Sequence, residues 1–244
     1  MKKTLINLFS VLLVFTVSAH AQYLDEILEN HFKAIGQETM VNIQTQLINV
    51  RIIIFAQGME MEMPLIMKMK RPNKIRQEID MQGQMIITGY DGKNGWMINP
   101  MVGPEPQDLA GIELEQLLEQ SDFDGALYNW EEKGHTVEYV GTEDMEGTEV
   151  YKLKLTKENG NIIYYYLNID TYILLKQTTI ADVMGTETET NIIFGNYKMV
   201  NDIAVPYSLD IQSMNQTIQM VVDTIEFDVE LNDSIFVRPV KKEE

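Results

Sequence analysis

The side chains best suited to chemistry are few and scattered. The chain of 244 residues contains three histidines and no cysteine. The missing cysteine excludes disulfides, thiolate metal sites, iron–sulfur clusters and cysteine nucleophiles together. His31 and His135 lie far apart, and neither has a second ligand at metal-binding spacing. Asp91 and Asn94 share a glycine-containing turn, but the spacing of an EF-hand is missing. Thr186-Glu187-Thr188-Glu189-Thr190 alternates as a solvated strand face does. No Walker loop, G-x-G-x-x-G, G-x-S-x-G or H-E-x-x-H occurs. A hydrolase built on two carboxylates needs acids brought together by the fold, and no spacing here singles out such a pair. No catalytic residue, metal ligand or cofactor is therefore assigned.

The methionines carry more information. Nine of the sixteen lie between Met59 and Met101. Methionine is unbranched and polarisable, so it suits an apolar surface that must accept varied shapes. An ordinary sheet core under helices would show the same pattern, and the two readings differ in whether the face stays accessible. The elements that carry these residues alternate with period two from Gln44 to Tyr90. Ile48, Val50, Ile52 and Ile54 share one face of the first strand. Gln57-Gly58 reads as a hairpin turn. Met59, Met61, Met63, Leu65, Met67 and Met69 then share one face of the second, with Glu60, Glu62, Pro64, Ile66, Lys68 and Lys70 on the other. Pro64 removes a ladder donor, which points to an edge or a bulge. Ile75, Ile79 and Met81 continue the apolar face. Beyond the Gln82-Gly83 turn, Met85 and Ile87 are expected to extend it, and Trp96 follows the Asp91–Gly95 turn. The expected ligand-binding face comprises these residues.

Two helical stretches could cover that face. Leu24, Ile27, Leu28, Phe32 and Ile35 form one stripe, which Gly36 ends. Residues 100–106 hold three of the seven prolines and read as a loop. A helical insertion is expected near 108–132, with Asp108 as N-cap and Leu109, Ile112, Leu117 and Leu118 on one side. Phe123 to Trp130 reads as a second short helix. Leu28, Phe32, Leu109, Ile112, Leu117 and Leu118 are thus the expected lid. From His135 the chain returns to strands, roughly 136–143, 148–157, 161–169, 173–182, 186–199, 203–214 and 217–229, with turns at Asn159-Gly160, Met184-Gly185 and Asn201-Asp202. The fold class is α+β, mainly antiparallel: one domain over 22–244, with about eleven strands in a strongly curved incomplete barrel.

Residues 1–21 are set aside. Lys2 and Lys3, an apolar run from Leu5 to Val17 and Ala19-His20-Ala21 have the layout of a secretory signal peptide. Its removal takes two lysines and brings the net charge from −18 to −20. That charge argues against nucleic acid and against a surface held to anionic lipid by basic residues. The expected location is the periplasm, with no stable membrane anchor, because the cysteine that carries a bacterial lipid anchor is missing.

Several segments resemble the outer-membrane lipoprotein carrier family (LolA/LolB-like). They are Lys70-Arg71-Pro72-Asn73-Lys74-Ile75-Arg76, then Tyr90-Asp91-Gly92-Lys93-Asn94-Gly95-Trp96, and Tyr151-Lys152-Leu153-Lys154-Leu155 before its turn. Asn196 to Pro206, Phe227, Asn232-Asp233 and Phe236-Val237-Arg238-Pro239 complete the likeness. It implies a curved half-barrel capped by helices over a cavity for acyl chains, in a protein that ferries lipidated proteins across the periplasm. The lid helices would correspond to 24–35 and 108–132. The family's lid is held by an arginine on an early strand, and Arg51 stands on the first strand here. The expected partners are lipid acyl chains or lipidated proteins. An envelope sensor or adaptor of the same fold, bound to a protein partner, is the alternative.

Overall fold

A computed structural model describes residues 22–56, 59–183, 185–213 and 216–240. The expected signal segment 1–21, the Gln57-Gly58 turn and Met184 lie outside the described residues. Helix α1 (22–35) leads into a short α2 (Gln37–Met40), with Gly36 between them at φ 75°. Only glycine fits there: a Cβ would lie 2.1 Å from the Asp202 carbonyl oxygen, and the left-handed backbone disfavours other residues.

Six strands follow as a meander: β1 (Thr45–Ala56), β2 (Met59–Lys70), β3 (Lys74–Met81), β4 (Gln84–Tyr90), β5 (Gly95–Asn99) and β6 (Gly103–Asp108). Helix α3 (Gly111–Ser121) then crosses to a second meander. It comprises β7 (Thr136–Met145), β8 (Thr148–Thr156), β9 (Ile162–Asn168), β10 (Leu174–Val183), β11 (Thr186–Val200), β12 (Ile203–Ser213) and β13 (Gln216–Phe227). All thirteen described strands form one open antiparallel sheet in the order β6-β5-β4-β3-β2-β1-β13-β12-β11-β10-β9-β8-β7. The first and last strands meet at its centre, and β6 and β7 are its edges.

Four expectations are corrected. The proline-rich segment expected as a loop forms β6, which pairs only with β5. An edge strand needs no donor on its free side, so Pro104 and Pro106 are tolerated. Asp108 ends β6 and is no N-cap; the N-cap of α3 is Ala110, without a side-chain bond. Residues 123–134 are successive turns, not a helix. Pro64 lies on an interior strand, yet β3 pairs with β2 only from Leu65 onward, so its missing donor faces no partner there.

The core divides in two. One cluster gathers Val50, Leu65, Met69, Ile75 and Val222 beneath Leu117 of α3 and Phe123. The other packs Leu24, Ile27 and Leu28 of α1 on Leu153, Leu155 and Tyr165 of β8 and β9. On the opposite face the C-terminal segment straps the first meander. Lys70 donates to the Leu231 carbonyl, Arg76 to that of Ile235 and the Trp96 indole to that of Phe236. Arg238 closes the strap on Asp108.

Candidate functional site

Strand register decides which side chains share the helix-facing side of the sheet. Residues paired across antiparallel strands lie on one face. Val50 pairs with Leu65, and Leu65 with Ile79; Ile79 pairs with Ile86. Ile86, not Met85 or Ile87, therefore continues the apolar face. The Gln82-Gly83 loop has two residues, so Met81 pairs with Gln84 and the parity shifts by one. Trp96 is likewise on the outer face. It is fully buried under the C-terminal strap, with the Arg76 guanidinium 5.6 Å from its ring centroid. Gly89 opposite it has no room for a Cβ, which would lie 2.5 Å from the indole.

Of the other expected face residues, Val50, Met63, Leu65, Met69 and Ile75 are buried. Ile48, Ile52, Met67 and Ile79 are half-buried against the first core cluster. Ile54 and Met81 are also half-buried. Met59 and Met61 are 70% and 42% exposed, so the tip of the β1–β2 hairpin is open. The middle of the methionine face is thus core.

Two apolar rows nevertheless cross the centre of the sheet. Met63 pairs with Ile52, Ile52 with Met220, Met220 with Leu209, and Leu209 with Phe194. One step toward the tips, Met61, Ile54, Ile218, Ile211 and Ile192 follow in the same way. Ile192 then faces Gln177, which pairs with Tyr165. Both rows therefore end at residues that line a cavity of about 850 Å³ on the second meander. Phe32 and Ile35 of α1, Leu118 of α3, and Leu127, Ile163 and Leu174 supply most of its apolar wall. The cavity thus lies beside β9–β11, not over the methionine strands.

The expected lid residues separate accordingly. Phe32 and Leu118 reach the cavity, while Leu28, Leu109 and Leu117 are buried in the two cores. Leu109 precedes α3 rather than lying on it, and Ile112 points to solvent at 38% exposure. Helix α3 is tied to both meanders. Gln77 of β3 donates to Gln120 at 2.6 Å, and Lys157 beyond β8 pairs with Glu119 at 2.5 Å.

Arg51 does not hold this lid. It faces outward and pairs with Asp223 and Glu62. The arginine that reaches the cover is Arg71. Both its terminal nitrogens donate to Asp124 at 2.7 Å, and it also donates to the Ile43 and Met40 carbonyls. Its guanidinium lies 4.6 Å from the Phe123 ring centroid. Its segment was legible as a motif; its partner, 53 positions away, was not.

His31 and His135, unrelated in sequence, line the same cavity. Burial lowers the pKa of His31, whose Nδ1–H donates to the Tyr172 carbonyl at 2.8 Å. Burial and the nearby Lys157 and Lys133 also lower that of His135. Its Nδ1 is buried with no hydrogen-bond partner among the described residues. Burial, with Asp122 and Glu119 nearby, raises the Tyr165 hydroxyl well above its ordinary range. Among the described residues no three metal-ligating side chains cluster, and no helix is long and apolar enough to cross a membrane.

No protein-family model matches the sequence, and no curated protein matches it. Solved structures do. A DUF1329 family protein from Desulfovibrio piger is similar over 86% of this chain and 96% of its own, with a TM-score of 0.63 and 13% identity. A LolA superfamily protein from Nitrosomonas europaea is similar over 87% and 96%, with a TM-score of 0.62 and 16% identity. A putative outer membrane lipoprotein-sorting protein domain from Vibrio parahaemolyticus matches over 84% and 95%, with a TM-score of 0.58 and 12% identity. The chain has the curved, incomplete antiparallel barrel of the LolA fold.

Proposed function

We propose that this protein is a periplasmic carrier or binder of a lipid or a lipidated protein. The observation that carries this reading is the pair of apolar rows, one starting at the exposed Met61 and the other at the buried Met63, which cross five strands toward the cavity. Four inter-strand steps of about 4.8 Å make a track of about 19 Å, suited to an extended acyl chain. Each buried CH₂ contributes about 0.8 kcal/mol, so a fully enclosed long chain would be held by roughly 10 kcal/mol and would leave slowly. A carrier must therefore bury its cargo in part, or oppose it with a cover that competes for the same surface. Helix α3 and the turns at 123–134 are suited to that competition, because polar ties hold them at three points. The signal-like N-terminus supports a periplasmic location.

Native mass spectrometry of the purified protein, with titration of the neutral dye N-phenyl-1-naphthylamine, tests this reading. Co-purified lipid, or dye fluorescence displaced by lipid, is expected. Neither lipid nor dye binding would refute it. Phe55, Met59, Met85, Met101 and Val102, all exposed near the hairpin tips of the first meander, favour a second reading as an envelope adaptor. A protein partner lost on Phe55→Ser and Met59→Ser, in a chain that binds no lipid, would establish it.

A further inference from the structure

The cavity wall carries charge as well as apolar surface, and its balance bears on the ligand's head. Five carboxylates line it: Glu115, Glu119, Asp122, Asp124 and Glu158. Three are neutralised within the protein. Glu119 pairs with Lys157, Asp122 with Lys133 at 2.6 Å and Asp124 with Arg71. Both cavity lysines are thereby used. Glu115 and Glu158 have no ion pair among the described residues and are exposed, so they stand at the rim. His135 adds no cation, since burial and the two lysines hold its pKa down. Its buried Nδ1 has no partner among the described residues, and a buried polar atom of that kind is costly unless a ligand satisfies it. The charged groups come from α3, the turns at 123–134 and the β8–β9 turn, while α1 and the sheet contribute apolar side chains, joined by Leu118 and Leu127. The cavity is thus built for an amphipathic molecule.

We propose that the cavity selects acyl ligands with an uncharged, hydrogen-bonding head, such as a glyceryl ester or an amide, and discriminates against free fatty acids and anionic phospholipids. This rests on the lipid-binding reading above and specifies its substrate class. A carboxylate or phosphate head would enter a rim where both cations are engaged and two carboxylates are not. At partly solvated separations, two like charges disfavour such a head by about tenfold at low salt, and less as salt screens them. A neutral head escapes that repulsion and can satisfy His135 Nδ1.

The test is displacement of N-phenyl-1-naphthylamine at about pH 8 by two ligands of equal chain length, palmitate and 1-monopalmitoylglycerol, below their micellar concentrations. The glyceride is expected to displace the dye at a concentration about tenfold lower. Glu115→Gln with Glu158→Gln should shrink that gap to about twofold by improving palmitate alone, and high salt should shrink it in the unmodified protein. His135→Leu should weaken the glyceride more than palmitate and so narrow the gap between them. Equal affinities, preference for palmitate, or a gap unchanged by both the substitutions and salt would overturn the selectivity. Failure of the dye to bind at all would instead overturn the lipid-binding reading beneath it.

Discussion

Replacing Arg71 by leucine should release the turns at 123–134 while leaving the sheet intact. The guanidinium makes two bonds to Asp124 at 2.7 Å, one to the Ile43 carbonyl at 2.7 Å and one to the Met40 carbonyl at 3.0 Å. Leucine keeps much of the packing on Phe123 and removes all four donors. Asp124 would retain a bond from Gln37 at 3.2 Å, which leaves one carboxylate oxygen unpaired. Breaking a buried ion pair from one side costs about 3–5 kcal/mol. Here the side chains of Arg71 and Asp124 are 18% and 17% exposed, so solvent offsets part of the loss. A local cost of about 2 kcal/mol remains, which is about a 30-fold rise in the opening equilibrium. Hydrogen–deuterium exchange should therefore accelerate about 30-fold in residues 122–134 and at the α2 end, with β8 and β9 unchanged. Arg71→Lys should fall between, because it keeps charge without the planar fork. Acceleration spread evenly over the sheet would refute the reasoning by making the pair a global support. Unchanged exchange would refute it by showing that packing alone holds the turns.

Phe194→Asp should abolish dye binding with little loss of fold, because this side chain ends an apolar row at the cavity and is only half-buried. Met67→Asp should instead unfold the protein by several kcal/mol, since Met67 packs on the first core cluster and the new charge has no partner; circular dichroism of both variants separates core from cavity. Phe236→Ala should cost about 3–5 kcal/mol and shift tryptophan emission to the red by wetting Trp96, and unaltered emission would show that the strap does not seal it. Burial lowers the pKa of His31, partly offset by the Tyr172 carbonyl, from an ordinary value of 6.5. The unfolded chain then binds that proton more readily, so the histidine's contribution to stability is intact above about pH 6.5 and declines as pH falls through the folded-state value. His31→Gln should flatten that limb in thermal melts; an unchanged slope would assign the limb to other groups.

Much of the sheet was legible because its signals are local. Period-two alternation marked β1–β4, and Asn159-Gly160 and Asn201-Asp202 marked the turns, so the later strands fall within about two residues of their expected bounds. Parity was harder. Met85 and Ile87 lie on the other face, because one residue of turn length reverses every side chain after it. The edge strand β6 was hidden by its prolines, which only its place in the sheet explains. The site was hardest to see, because it depends on the crossing of α3 from one edge of the sheet to the other. That crossing sets β9–β11, rather than the methionine strands, beside the cavity. It also brings Asp124 to Arg71, and His31 and His135 line one cavity, with no signature of either in spacing.

The meeting of the first and last strands has a kinetic consequence. Each meander can pair with itself as it is made, but β1 waits for β13, and Asn49 meets a partner 175 positions away. The ordering entropy of the whole chain must be met before that contact forms, so the final step is non-local and slow. Until residues 216–227 are available, β1 keeps a row of unpaired backbone groups and the apolar rows are cut in half. A chain of this topology therefore gains its binding surface only at the end of folding. Losing its last strand would not trim an edge but divide the sheet through the middle.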